Sequence, residues 1–330
     1  MGPWEIVERK GSEEIAVVYL LRSRQDPEVF VECVESLDPP TPPEEKWVVT
    51  LSSQKGCPAK CVFCDASFYY KGNLSEEELL GQLESILNGH RDDDRMKSRK
   101  IKLHLARMGE PSFNDNIPGF LEEVKERYPE VPFIPAIATI GPSGREEWFG
   151  KLRSLKDEYF GGGFFQLQFS MNTTDEDFRD GIMPVRKMTF RQISSFGKGW
   201  VLPGDRKVTL NYALFSDAPF RAENIISLFD PSNFLVKLTP MNPTAASSTK
   251  GMASDINFDG TVSERVLGEK GKLERAGFEV IVSIGSLEEI RTGSNCGQLA
   301  FARLAKERRE QGIISPGGSD DEKSFDDRRF

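Results

Sequence analysis

From residue 47 onward, short apolar runs alternate with longer stretches whose apolar residues recur at helical spacing. The runs predict strands near 47 to 51, 101 to 107, 133 to 139, 164 to 170, 207 to 214 and 234 to 239, with helices between most of them. The stretch 75 to 88 is the clearest helix. Ser75 stands at its cap, Glu78 three residues on completes a capping box, and Leu79, Leu80, Leu83, Ile86 and Leu87 form one apolar face. A last unit follows, with a helix near 261 to 276, a strand near 278 to 283 and a helix near 298 to 310. Repeated strand-helix-strand units imply an α/β fold with parallel strands joined by right-handed crossovers. The pattern alone leaves a barrel and a doubly wound sheet both open.

Before this region, EIAVVYL and EVFVECV predict a β-hairpin over residues 14 to 35, turning at RSRQDP. DPPTPPEEK, residues 38 to 46, places four prolines in nine residues and reads as a stiff connector. The expected organisation is therefore 1–46 as hairpin extension and connector, 47–310 as the main α/β unit, and 311–330 as a disordered tail. That tail, ending GGSDDEKSFDDRRF, lacks apolar periodicity.

A chain of 330 residues with 38% hydrophobic and 29% charged residues has no apolar run of membrane-spanning length. The charged start, MGPWEIVERKGSEE, does not read as a signal peptide, so a cytoplasmic protein is expected. A net charge of -9 argues against a broad cationic footprint for nucleic acid.

Five cysteines include three in GCPAKCVFC: Cys57, Cys61 and Cys64. Their crowding on one loop points to a metal centre rather than to disulfides. A zinc site needs a fourth ligand from His90, His104, Cys33 or Cys296, all distant in sequence. Three thiolates on a [4Fe–4S] cube instead leave one iron open for chemistry. The spacing, with Phe63 before the third cysteine, resembles the radical S-adenosylmethionine superfamily. His90 and His104 otherwise read as satisfied structural residues, and Gly161 to Gly163 as a turn.

Read together, LSSQKGCPAKCVFC, NLSEEELLGQL, RMGEPSFN, FSMNTTDEDFRDGIMP, KLTPMNP and IRTGSNCGQLA resemble the radical-SAM ribosomal RNA adenine methyltransferases, the RlmN/Cfr-like family. The resemblance implies a radical-SAM partial (β/α)6 barrel with a small amino-terminal β-hairpin extension. It implies a 4Fe-4S cluster on Cys57, Cys61 and Cys64, S-adenosyl-L-methionine as cofactor, and an electron donor such as flavodoxin or ferredoxin. By the same resemblance Gly109 and Glu110 hold the methionine amino group, and Ser170, Met171, Asn172 and Asn242 are further cofactor contacts. Two positions depart from the family: Ala138 replaces a serine and Asn172 a histidine.

Cys296 would, by this resemblance, accept a methyl group from one S-adenosylmethionine. A radical derived from a second would activate that methyl group for addition to an sp² carbon. Glu32 matches the family's proton acceptor. Thr50, however, stands where the family has the cysteine that resolves the resulting thioether. Cys33 is a poor substitute, because Glu32 and Cys33 are successive strand residues and point to opposite faces.

The family's RNA enzymes also carry an amino-terminal helical domain for which the residues before the hairpin leave no room. The expected substrate is thus an RNA base, a nucleotide or a small metabolite. Two other readings stay open: radical chemistry on a non-RNA substrate without methyl-cysteine, and a cluster-bearing RNA-binding or regulatory protein.

Overall fold

The computed structural model describes residues 2–37, 41–90, 94–285, 287–293 and 298–310. The predicted hairpin is present as β2 (Ala16–Ser23) and β3 (Phe30–Ser36), but a further strand, β1 (Trp4–Ser12), precedes it and pairs with β2. Its alternation is masked in sequence because six of its nine residues are exposed, three of them charged; Trp4 alone is buried. The connector's residues 38–40 lie outside the described residues, as do 311–330.

Next come β4 (Trp47–Leu51), β5 (Gln54–Gly56), β6 (Tyr70–Asn73) and α1 (Glu76–Leu87). They are followed by β7 (Ile101–Leu105), α2 (Ile117–Arg127), β8 (Phe133–Thr139), α3 (Glu146–Tyr159) and β9 (Gln166–Ser170). Then α4 (Glu176–Ile182) and α5 (Phe190–Trp200) lead to β10 (Val208–Leu214), α6 (Ala222–Leu228) and β11 (Phe234–Pro240). The described chain closes with α7 (Ala245–Thr249), α8 (Glu264–Arg275), β12 (Val280–Val282), α9 (Leu287–Thr292) and α10 (Gln298–Glu310).

One ten-stranded sheet runs in the order β1-β2-β3-β4-β7-β8-β9-β10-β11-β12. The first four strands are antiparallel, and from β4 to β12 every neighbour is parallel. The sheet ends in β1 and β12 rather than closing, which is the partial barrel that the resemblance implies. β3 pairs directly with β4, so the amino-terminal strands extend the barrel sheet.

Along β4, β7 and β11, buried residues alternate with partly exposed ones. The buried set, including Trp47, Val49, Leu103, Leu105, Val236 and Leu238, joins the core beneath the helices. The other set, Thr50, Lys102, His104, Lys237 and Thr239 among them, lines the lumen. α1 begins as expected: Ser75 Oγ accepts from Glu78 N at 3.1 Å, and Glu78 returns a carboxylate to Ser75 N at 3.0 Å. No described helix is long and apolar enough to cross a membrane.

Candidate active site

The carboxyl ends of the parallel strands carry the cysteine loop, the Met108–Glu110 turn and Ser170–Asn172, the end at which such barrels assemble their sites. The loop does not leave β4 directly. The short strands β5 and β6 first pair antiparallel and close its base, and Cys57 N donates to Tyr69 O at 3.1 Å. Gly56, at φ +86°, lies so close to this segment that a Cβ would meet the Tyr69 carbonyl oxygen at 1.9 Å. Only glycine fits there.

The loop's far side is tied to the segment after β11. Buried Asp65 accepts from Ala245 N at 3.1 Å and Ala246 N at 2.9 Å, at the start of α7, while Thr244 Oγ1 donates to Phe63 O at 2.7 Å.

Cys57 is buried, and Cys61 and Cys64 are half-buried. Burial pushes all three thiols up, and Cys64 and Glu110 add to that effect at both Cys57 and Cys61. The three sulfurs and one carboxylate therefore share one electrostatic neighbourhood. To bind as thiolates beside that carboxylate they would need a strongly positive centre among them, and a soft thiolate set suits iron and sulfide. Among the described residues no group of three or more His, Cys, Asp and Glu side chains is arranged to hold a single metal ion. Three thiols on one loop beside a carboxylate are the donor set that a cube of iron and sulfide would use.

Glu110 faces the loop from the end of β7. Its Oε1 accepts from Ser112 N (3.1 Å), Ser112 Oγ (2.7 Å) and Thr139 Oγ1 (2.5 Å), and its Oε2 from Ile140 N (2.8 Å). Oε1 is saturated, whereas Oε2 keeps room for another donor. Burial raises its carboxyl above the usual range, opposed by these hydrogen bonds. Gly109, at φ +98°, is pressed against Ser53 and Gln54, where a Cβ would come within 2.6 Å of both side chains. Gln54 Oε1 in turn accepts from Glu110 N at 2.8 Å. The SSQ residues of the sequence motif thus brace the turn that presents Glu110.

Asn172 adopts φ +61°, a left-handed conformation that Asn tolerates, and its Oδ1 accepts from Ala213 N at 3.0 Å. Met171 is wholly buried, and its N–H donates to Asn211 O at 2.8 Å. Arg179, from the FRDGIMP stretch, is buried and donates to Ile140 O (2.8 Å), Ser170 O (2.9 Å) and Met188 O (3.1 Å), clamping the ends of β8 and β9. Burial lowers its pKa to about 10. Ser170, Asn172 and Asn242 line the lumen together with Phe63, Thr50 and Ala138.

Cys296 lies outside the described residues, as do 294, 295 and 297, whereas Gly293 and the segment from Gln298 are described. Buried Glu32 on β3 is ion-paired with Arg107: Arg107 Nε donates to Glu32 Oε2 at 2.8 Å, joined by Nη2. Glu32 Oε1 accepts from Ala300 N at 2.6 Å, in the first turn of α10, and Arg107 Nη2 donates to Gly293 O at 2.7 Å. One ion pair therefore holds both Gly293 and Ala300. Cys33 faces the other side of β3, its Sγ 3.9 Å from Gln82 O of α1.

Arg107 was hidden in sequence by its place beside MGEP, and its pairing with Glu32 crosses 75 residues. His90, as expected, is satisfied: its Nε2 lies 3.0 Å from Glu35 Oε1, and Arg95 Nη1 lies 3.0 Å from its Nδ1.

No known protein-family profile matches the chain. It is 27% identical over 217 residues to a dual-specificity RNA methyltransferase RlmN of Sulfurovum sp. (strain NBC37-1), covering 63% of this chain and 56% of that protein. It is 25% identical over 264 residues to the RlmN of Sorangium cellulosum, covering 78% and 63%. The match to the RlmN of Aliarcobacter butzleri is 26% over 315 residues, covering 88% and 82%. The chain thus spans less than two thirds of the Sulfurovum and Sorangium relatives. Its fold matches the crystal structure of a radical SAM methyltransferase from Sphaerobacter thermophilus, with a TM-score of 0.67 at 21% identity over 90% of this chain and 81% of that one.

Proposed function

From this similarity to the RlmN/Cfr-like radical-SAM methyltransferases, we propose that the chain is a radical-SAM enzyme that methylates an sp² carbon through Cys296. The observation that carries the reading is the meeting of the Cys57, Cys61 and Cys64 thiols with the Glu110 carboxylate at the mouth of the barrel. A 4Fe-4S cluster bound there would supply reductive cleavage of S-adenosylmethionine, with electrons from a donor such as flavodoxin or ferredoxin.

The chain's own residues then have distinct tasks. Glu110 Oε2 would be open to the methionine amino group, while Oε1 stays locked by Ser112 and Thr139. The Gly109 turn lets the backbone approach without a side chain intervening. Ser170, Asn172 and Asn242, which line the lumen wall, would contact the rest of the cofactor. Glu32 is the proton acceptor; its Oε1, bonded to Ala300 N alone among the described residues, is the atom with a lone pair for a proton. The proposed setting is the cytoplasm, and the relatives' printed RNA methyltransferase activity makes an RNA base one substrate class beside nucleotides and small metabolites.

Thr50, on the lumen wall, favours a second reading in which no thioether to Cys296 has to be resolved and the radical acts without methyl-cysteine. Anaerobic reconstitution followed by incubation with S-adenosylmethionine separates the two. The first reading expects 5′-deoxyadenosine and a tryptic peptide TGSNCGQLAFAR, residues 292 to 303, bearing one added methylene on Cys296. 5′-Deoxyadenosine with an unmodified peptide selects the second. Protein that binds no iron and sulfide, or whose cleavage activity survives Cys57→Ala, refutes both.

A further inference from the structure

The lumen has a cationic stretch that the proposed cofactor chemistry does not use. Its cavity of about 480 Å³ is lined by Lys46, Lys102, His104, Gln168, Asn211 and Lys237, besides residues already described. The only carboxylate among the described lining residues is Glu289 of α9. This is unexpected in a chain of net charge -9, and it gathers positive charge along the barrel lumen.

Lys102 and His104 leave β7 on the same side, two residues apart, and neither makes a hydrogen bond or ion pair among the described residues. The charges that act most on Lys102 are all cations: Lys237, Lys46, Lys100 and Arg206. Across the lumen, Asn211 stands in register with Lys237, and its Oδ1 is buried with no partner. Burying an ammonium among like charges is costly unless an anion joins it, and an orphaned carbonyl oxygen costs a hydrogen bond. An anion that also carries a hydroxyl or amine donor removes both costs at once.

We propose that the part of this lumen around Lys102 and Asn211, beside the cofactor contacts proposed above, is the substrate subsite and takes a small anionic molecule, a carboxylate or phosphate monoester, with its charge against Lys102 and a donor on Asn211 Oδ1. The inference deepens the reading of the barrel as an enzyme site by naming its substrate class. A polymer is disfavoured because the lysines line a cavity of nucleotide size beneath an acidic body.

Thermal unfolding of the full chain, without S-adenosylmethionine or reductant, tests the proposal. Inorganic phosphate and succinate serve as probes against chloride at matched ionic strength. Wild type is expected to gain stability from phosphate, from succinate or from both, which distinguishes a phosphate ester from a carboxylate. Lys102→Met should weaken the apparent affinity about tenfold or more while its own midpoint in chloride stays level or rises. A lower midpoint in chloride would assign Lys102 a structural role and overturn the proposal. So would equal shifts in wild type and variant, no shift beyond chloride, or stabilisation by a short RNA oligonucleotide alone. Because no radical step is involved, failure here leaves the cluster reading intact, and failure of S-adenosylmethionine cleavage leaves this result intact.

Discussion

The two faces of the parallel sheet come from the same strands but obey different rules. Facing the helices, Leu103, Leu105, Leu167, Phe169, Val236 and Leu238 are fully or almost fully buried. Facing the lumen, the intervening Lys102, His104, Gln168 and Lys237 border a cavity. In ordinary parallel sheets both faces are apolar. Here one face holds the fold together and the other is given over to polar recognition, so alternation in a parallel strand marks a barrel whose inside is a binding surface.

The sharpest way to break the distinction is to move a charge one residue along β7. Leu103→Asp puts an unpaired carboxylate beneath the helices at a cost of about 5 kcal/mol or more, the scale of a domain's net stability. We expect no folded protein by circular dichroism. His104→Leu, one residue on, should leave the far-ultraviolet spectrum unchanged and alter stability by about 1 kcal/mol or less. Comparable losses from both would mean that the lumen face is also core.

Arg107 is the exception that sharpens the comparison, since it borders the lumen yet is paired and buried. Arg107→Met leaves Glu32 as an uncompensated buried carboxylate and should cost about 3 to 5 kcal/mol in denaturant melts. Arg107→Met with Glu32→Gln should recover a large part of that loss. A single variant as stable as wild type would show that the pair contributes nothing.

A smaller effect is expected from pH. Burial, reinforced by Lys237, Lys46, Lys100 and Arg206, lowers Lys102 to about 7, and His104 is held well below its ordinary range by burial and by Lys102 and Lys237. In the unfolded chain Lys102 returns to the ordinary lysine range near 10.4. Between these values the unfolded state binds the extra proton, so this group's contribution to stability rises with pH across that window and falls as pH drops toward 7. The stability of wild type minus that of Lys102→Met, measured by urea melts, should therefore increase between about pH 7 and 10. A flat difference would remove Lys102 from the cationic set.

Much of this arrangement was legible in the chain. The short apolar runs located the barrel strands, and Ser75 with Glu78 fixed the start of α1, because both signals are local. The cysteine loop and MGEP turn were also readable from their residue types. β1 was not, because its exposed charges hide a strand that needs β2 to exist. Nor were the roles of Arg107, Arg179 and Asp65, whose partners come from other strands and loops far along the chain. The lumen's charge escaped for the same reason: Lys102 and Lys237 are 135 positions apart and meet only when the sheet curls. Cys296, the residue with the most specific assignment from sequence, lies outside the described residues.

The bond from Ala246 N to Asp65 spans 181 positions and has a consequence for the order of assembly. During synthesis the cysteine loop emerges long before α7, so these bonds to its buried carboxylate form only after β4 to β11 have left the ribosome. Closing so long a loop is entropically costly and slow. Completion of the loop's far side is thus a late event, timed by the far end of the chain rather than by the cysteines themselves.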